Sequence, residues 1–372
     1  MKIGIIGAGQ LGKMLAESVD STHYSFSFYD PNPDSCAKSR GQLIIGSFDD
    51  KNKLIEFAKS CDLITYEFEN VNSAILEEIE EIKPIFPPVK AVKISQSRHQ
   101  EKSFFNSINI RTPRFAIVSN ESEINSFVNE CNLPIVLKTD RFGYDGKGQF
   151  ILKDQSQLDD ALNFINSNHN QKIIAEEFIN YSRELSIIAA RDINGSIAYY
   201  PINQNEHIDG ILNLTCSIAE DISVHIEETA KGYIKKLLEE LNYIGTLTLE
   251  LFQVGEELFA NEMAPRVHNS GHHTINSCRA SQFKNHILAV TKDNIQDPSQ
   301  IFYGAMINLI GDIPEELRFN EGIHKISDQI IVYNYGKESF PKRKVGHINL
   351  IASSKDELNN LIQMNKKYLR NR

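Results

Sequence analysis

Glu250 and Glu262 stand six positions either side of Glu256 in the segment TLTLELFQVGEELFANEM. The alternating leucines mark two strands, and Val254-Gly255-Glu256-Glu257 marks the turn between them. A hairpin centred on Glu256 places the two carboxylates opposite each other on one face. Leu247, Leu249 and Leu251 then point to the other face. Opposed like charges repel unless a cation sits between them. Hard oxygen ligands in that position suit Mg²⁺ holding the phosphates of a nucleotide. Two solvated glutamates at a sheet edge are the plainer alternative. Asn261 could add an oxygen, although strict alternation sends its side chain to the opposite face.

The next ten residues, APRVHNSGHH (264–273), are rich in donors. Arg266, His268, Asn269, Ser270, His272 and His273 are not all expected in a core, and the loop suits an anionic or phosphorylated ligand. Zinc at His268 and His272 is disfavoured, because the HExxH glutamate is missing and no helix is expected across Asn269-Ser270-Gly271. Upstream, FGYDGKGQF (142–150) holds three glycines between two strands. Its backbone amides could close over phosphate oxygens as a lid. A flexible hairpin turn at Asp145-Gly146 is the alternative, but Tyr144, Asp145, Lys147 and nearby Lys138 crowd polar groups around it. Lys138 ends the apolar strand PIVLK, where a lysine needs an acid or a phosphate as partner. Glu176, Glu177 and Glu184 read first as surface acidity. Lys337, Lys342, Arg343 and Lys344 read equally as a solvated face or a ligand site.

Gly7, Gly9 and Gly12 form GxGxxG after a strand and at the start of a helix, and Asp30 ends the second strand. That is the dinucleotide fingerprint, but the same turn can hold a single phosphate or serve packing alone.

These residues need elements to position them. KIGII (2–6), SFSFYD (25–30), QLIIG (42–46), DLITYE (62–67) and PIFPP (84–88) alternate with helical stretches, which predicts a parallel sheet covered on both faces. From near Gln96 the strands PIVLKTD, GQFIL, KIIAEEF and ELSIIAAR crowd together around one helix at 156–166, an α+β pattern with antiparallel pairing. The residues from about Asp293 form a small mixed unit. With 372 residues, 41% hydrophobic and 24% charged, the chain has room for two or three domains and is ordinary for a globular protein. A net charge of −10 argues against a basic nucleic-acid binder. Five scattered cysteines without a CxxC pair suit a reducing compartment. No run is apolar enough to span a membrane, and the N-terminus makes a poor signal peptide, so a cytoplasmic protein is expected.

Taken together, the segments resemble the ATP-grasp superfamily, and within it the 5-(carboxyamino)imidazole ribonucleotide synthetases, the ATP-dependent subunits of phosphoribosylaminoimidazole carboxylase. GAGQLGKM (7–14), YEFENV (66–71), QSRHQEK (96–102), LKTDRFGYDGKGQF (137–150), NEMAPRVHNSGHHT (261–274) and KVGHINL (344–350) carry the likeness, which spans nearly the whole chain. The resemblance implies an α/β and α+β architecture: an N-terminal Rossmann-like parallel sheet (1–100), an ATP-grasp domain (101–292) with a mobile lid at about 115–180, and a small C-terminal domain (293–372). It implies ATP-dependent carboxylation of 5-aminoimidazole ribonucleotide by bicarbonate in purine biosynthesis. ADP and phosphate are released, and the enzyme is a carbon–nitrogen ligase.

The resemblance also implies roles by position. ATP would be met by Arg98, Lys138, the lid residues Gly143, Tyr144, Asp145, Gly146, Lys147, Gly148 and Gln149, the hinge Glu176, Glu177, Phe178 and Ile179, then Glu184, His207, Asn261 and Glu262. Glu250 and Glu262 would hold Mg²⁺, or Mn²⁺ in its place. The ribonucleotide would be met by Gly9, Gln10, Leu11, Glu69, Tyr144, Asp145, Lys147, Arg266, His268, Asn269, Lys337, Arg343 and Lys344. Asp145, Lys138 and Arg266 would be catalytic. The glycine turn thereby moves to the substrate side, with no NAD. Partners would be small molecules, with neither nucleic acid nor membrane, a homodimer is expected, and the product would pass to a separate mutase. Phe142, Ser97 and Lys342 depart from the family pattern, two of them replacing glycines. A related ATP-grasp ligase or formate-using transformylase, acting on another ribonucleotide, is the alternative.

Overall fold

The computed structural model describes residues 1–141, 143, 148–217, 222–311 and 313–369. Chain order begins with β1 (Lys2–Ile6), α1 (Gln10–Glu17), β2 (Ser25–Asp30), β3 (Gln42–Ile45), α2 (Lys51–Lys59), β4 (Leu63–Tyr66) and α3 (Ser73–Glu80). The four strands form a parallel sheet in the order β3-β2-β1-β4. Its faces are both covered. Ile3, Ile5 and Phe28 pack with Leu11 and Leu15 of α1 on one side, while Ile6, Tyr29 and Ile64 pack with Leu54, Phe57 and Leu76 on the other. PIFPP does not form the expected fifth strand. Only Ile85 makes a parallel bridge, to Ile64, because Pro87 and Pro88 have no N–H to extend the ladder.

Next come α4 (Val89–Ser95), α5 (Arg98–Ser107), β5 (Phe115–Val118), α6 (Glu121–Cys131), β6 (Ile135–Thr139), β7 (Gln149–Leu152), α7 (Leu158–Ser167) and β8 (Ile173–Glu177). β5-β8-β6-β7 is an antiparallel sheet of four strands, backed by the apolar faces of α6 and α7.

The remaining elements build one larger sheet. They are β9 (Arg183–Arg191), β10 (Ile197–Tyr199), β11 (Asn203–Ile208), β12 (Ile211–Cys216), α8 (Val224–Glu240), β13 (Gly245–Val254), β14 (Glu257–Ala264), α9 (Thr274–Ser277), α10 (Gln282–Val290), β15 (Tyr303–Ile310), β16 (Gly322–Lys325), β17 (Ile330–Asn334), β18 (Lys344–Ala352) and α11 (Lys355–Met364). The order is β14-β13-β9-β11-β12-β15-β18-β17-β16, with β10 beside β9. The late strands therefore continue the sheet through β12 and β15 instead of forming a sheet of their own. Leu247, Leu249 and Leu251 face α8, whose Ile234, Leu237, Leu238 and Leu241 complete that core. None of the five cysteines, all among the described residues, forms a disulfide. Among the described residues no helix is long and apolar enough to cross a membrane.

Candidate active site

The β13–β14 hairpin departs from the expected register in a way that matters chemically. Val254 pairs with Glu257 and Leu251 with Ala260, so the turn is centred between Gly255 and Glu256 and not on Glu256. The register then shifts between Leu249 and Leu251, after which Leu249 pairs with Met263 and Thr248 with Ala264. Two residues, Asn261 and Glu262, thus oppose the single Glu250. An extra residue on one strand interrupts the alternation of side chains. Asn261 and Glu262 consequently both line the same cleft as Glu250, which overturns the expectation that Asn261 faces away.

The cleft, about 470 Å³, lies where the small antiparallel sheet, α5 and the larger sheet meet. On one wall Lys138 Nζ donates to Glu176 Oε2 at 2.8 Å, so its expected acidic partner is present. Lys102 Nζ lies 3.4 Å from the same oxygen. Burial alone would raise the Glu176 carboxyl, but Lys102, Lys138 and Arg98 outweigh it and bring it down to about 2. Arg98 reaches Glu262 Oε2 at 3.1 Å and the Gly143 carbonyl at 2.8 Å. Its helix is capped by Ser97, whose hydroxyl donates to the Asp140 carboxylate at 2.8 and 2.9 Å.

Further along, Glu184 accepts from Tyr181 and pairs with His207. Burial would raise the Glu184 carboxyl, yet these two partners hold it below its usual range. Tyr181 stacks on Phe252 with ring centroids 4.6 Å apart, and both border the cleft. Burial and the facing Glu262 push the Glu250 carboxyl up to about 7. Burial is the larger cause and the neighbouring acid adds to it, and a divalent cation fits this pair of hard carboxylates.

The opposite end is cationic. Arg266 Nε donates to Glu69 Oε2 at 2.5 Å, and Arg266, His268, Asn269 and Lys344 line the cleft. Gln282 clamps the loop by accepting from His268 N at 2.9 Å and donating to His268 O at 2.6 Å. Burial, reinforced by Arg266 and Lys344, keeps the His268 imidazole neutral, with Nε2 3.3 Å from Glu250. Ser270, His272 and His273 are fully buried, so half of this donor-rich string is core after all. A short 3₁₀ turn spans Asn269–Gly271, a stretch the sequence reading leaves without a helix.

The glycine turn is occupied by protein. Glu67 accepts from Gly9 N at 2.5 Å and from Gly12 N at 2.6 Å. Asp30 accepts from Ala8 N at 2.9 Å. The amides a dinucleotide pyrophosphate would take are filled by carboxylates. Gly7 has φ +101°, and a side chain there would collide with Glu67. Glu67, in YEFENV, and Glu101 and Lys102, in QSRHQEK, are structural residues of the site that their sequence context does not single out.

The cleft gathers Arg98, Lys138, Gly143, Gly148, Gln149, Glu184, His207, Glu250, Asn261 and Glu262 with Glu69, Arg266, His268, Asn269 and Lys344. Glu176 sits beneath Lys138. Glu177 turns outward to Arg114, 3.0 Å away. Phe178 and Ile179 follow it and do not line the cleft. Neither do Gly9, Gln10, Leu11, Lys337 or Arg343, and the Leu11 side chain belongs to the core. Gln10 bonds Lys337, which feels the charges of Arg343 and Lys344. Tyr144, Asp145, Gly146, Lys147 and Phe142 lie outside the described residues. Lys342 adopts φ +67°, a conformation glycine takes without strain.

Three family patterns match the chain: a ribonucleotide synthetase preATP-grasp domain over residues 1–96, an ATP-grasp domain over 103–283 and a phosphoribosylaminoimidazole carboxylase C-terminal domain over 304–361. A protein of Pseudomonas aeruginosa named N5-carboxyaminoimidazole ribonucleotide synthase is 37% identical over 359 residues, 96% of each chain. The N5-carboxyaminoimidazole ribonucleotide synthetase of Thermus thermophilus superposes with a TM-score of 0.90 at 38% identity, covering 100% of this chain and 99% of that one. An Aspergillus clavatus enzyme solved with ADP and 5-aminoimidazole ribonucleotide gives 0.88 at 25% identity, covering 99% and 98%.

Proposed function

The chain belongs to the N5-carboxyaminoimidazole ribonucleotide synthase family of ATP-grasp enzymes, and from that premise we propose how its cleft works. It is an ATP-dependent carbon–nitrogen ligase that carboxylates 5-aminoimidazole ribonucleotide with bicarbonate, releasing ADP and phosphate in purine biosynthesis. The observation that carries this reading is one cleft with two chemically distinct ends. At one end Lys138, Arg98, Asn261, Glu262 and Glu250 suit a triphosphate. At the other Arg266, His268, Asn269 and Lys344 suit a phosphorylated ribonucleotide.

Bicarbonate is a poor electrophile, and phosphorylation by ATP converts it to carboxyphosphate. Lys138 and Arg98 neutralise charge on the γ-phosphoryl group as it transfers. Glu250 and Glu262 would hold Mg²⁺, or Mn²⁺, which supplies charge neutralisation on the phosphates. Glu184, with His207, faces the ribose of ATP, and Tyr181 and Phe252 offer the apolar surface nearby. The backbone of Glu176, Glu177, Phe178 and Ile179 meets the adenine. Arg266, oriented by Glu69, fixes the ribonucleotide so that its exocyclic amine meets the carboxyl group. Gly9 N is held by Glu67, while Lys337 and Arg343 add positive charge beside Lys344. Asp145 takes the amine's proton. Gly143, Gly148 and Gln149 border the cleft, where water must be excluded, since carboxyphosphate hydrolyses readily in water.

The same reading divides the chain at about residues 100 and 292 and places a homodimer in the cytoplasm, its product consumed by a separate mutase. ADP release measured with 5-aminoimidazole ribonucleotide and bicarbonate, against formate in place of bicarbonate, tests it. Turnover only with bicarbonate supports the ligase, and turnover only with formate supports a transformylase.

A further inference from the structure

α5 places two consecutive side chains against the outer edge of β14. Glu101 Oε1 accepts from Met263 N at 2.8 Å, and Lys102 Nζ donates to Asn261 O at 3.2 Å. These are the backbone groups on either side of Glu262. β14 is the last strand of its sheet, so among the described residues its outward N–H and C=O groups have no strand to pair with. Both side chains are almost fully buried, Glu101 2% and Lys102 1% exposed. Groups of this kind are rarely buried unless paired. Here each meets its partner at the register shift that turns Asn261 and Glu262 into the cleft together. Lys102 also lies 3.4 Å from Glu176, the acid that holds Lys138.

We propose that Glu101 and Lys102 are positioning residues, a clamp that fixes the β14 bulge and sets Glu262 and Asn261 at a constant distance from Lys138. The clamp rests on the ligase reading above. It acts through the backbone of β14, so its loss moves the phosphate-facing groups without altering the Arg266 end. A misplacement of about 1 Å can cost about 10²-fold in rate.

The test compares Glu101→Ala, Glu101→Gln and Lys102→Met with the full-length wild-type enzyme. kcat, the KM for 5-aminoimidazole ribonucleotide, and Mg·ADP affinity by calorimetry are the readouts. Glu101→Ala should lower kcat by about 10- to 100-fold and weaken Mg·ADP, while the ribonucleotide KM stays within about twofold. Glu101→Gln should recover most of both losses, because its amide oxygen still accepts from Met263 N. Lys102→Met should behave like Glu101→Ala. If Glu101→Ala does not fold, Lys102→Met and Glu101→Gln decide by the same criteria. Wild-type kcat in Lys102→Met or Glu101→Ala, or a Glu101→Gln as impaired as the alanine variant, overturns the clamp. A wild-type enzyme that fails to carboxylate overturns the ligase reading instead, and Mg·ADP affinity still judges the clamp.

Discussion

The carboxylate of Glu67 lies 2.6 Å from the backbone nitrogen of Gly12, at the start of α1. A second oxygen lies 2.5 Å from Gly9 N. The helix N-terminus that would attract a pyrophosphate is filled by an acid from β4's end, brought there by the parallel pairing of β1 with β4. The glycines make room for that acid, and the fingerprint is explained without a dinucleotide.

Glu67→Ala should therefore destabilise the fold by about 1–3 kcal/mol, because it leaves a buried amide at Gly12 and a partly buried one at Gly9 without an acceptor. Urea unfolding checks this. Calorimetry on the wild-type protein should show no micromolar NAD affinity, and competition between NAD and the ribonucleotide would reverse the assignment.

Glu262→Gln should abolish ADP formation while circular dichroism shows an intact fold. Retained activity would remove Glu262 from the proposed metal pair.

Glu250 makes stability depend on pH. Its carboxyl is raised from the ordinary 4.5 to about 7 in the folded protein. The folded state thus binds the proton more tightly than the unfolded chain, so stability falls as pH rises through the window from 4.5 to about 7 and levels off above it. Melting temperatures of wild type and Glu250→Gln, measured without nucleotide in a chelator, should diverge in favour of the variant between pH 5 and 8. Parallel curves would contradict the shared-site picture.

Lys138→Ala should weaken ATP use in every assay, through kcat and the KM for ATP alike. Glu176 keeps Lys102 as partner in that variant, so the fold should survive. An unchanged KM for ATP would move Lys138 out of the nucleotide site.

Asp145→Asn should depress carboxylation by about 10²-fold or more while leaving ATP affinity nearly unchanged, if the residue transfers the amine's proton. Near-normal carboxylation would leave it only a shaping role in the glycine-rich segment.

The parallel strands of the first hundred residues were legible because strand-like runs alternate with helical stretches, and KIGII is a continuous apolar run, the mark of a strand buried on both faces. PIFPP carried the same apolar signal but ends in prolines that cannot donate. The carboxylates Glu250 and Glu262 were legible from their spacing. The bulge that brings Asn261 beside them was not, since an inserted residue breaks the two-residue period on which such reasoning depends. Glu67, Glu101 and Lys102 escaped notice for another reason. Their partners are backbone groups 55 to 162 residues away, and nothing local marks a charged residue that will be buried against them.

The central claim is that phosphate release and carboxyl transfer are coupled in one cleft. Product formation and ADP release should be followed together under full wild-type turnover, with labelled bicarbonate as carboxyl source. The expected result is one carboxylated ribonucleotide per ADP, with neither formed when bicarbonate is withheld. ADP release with formate but without bicarbonate, or carboxylation without ATP, would contradict it.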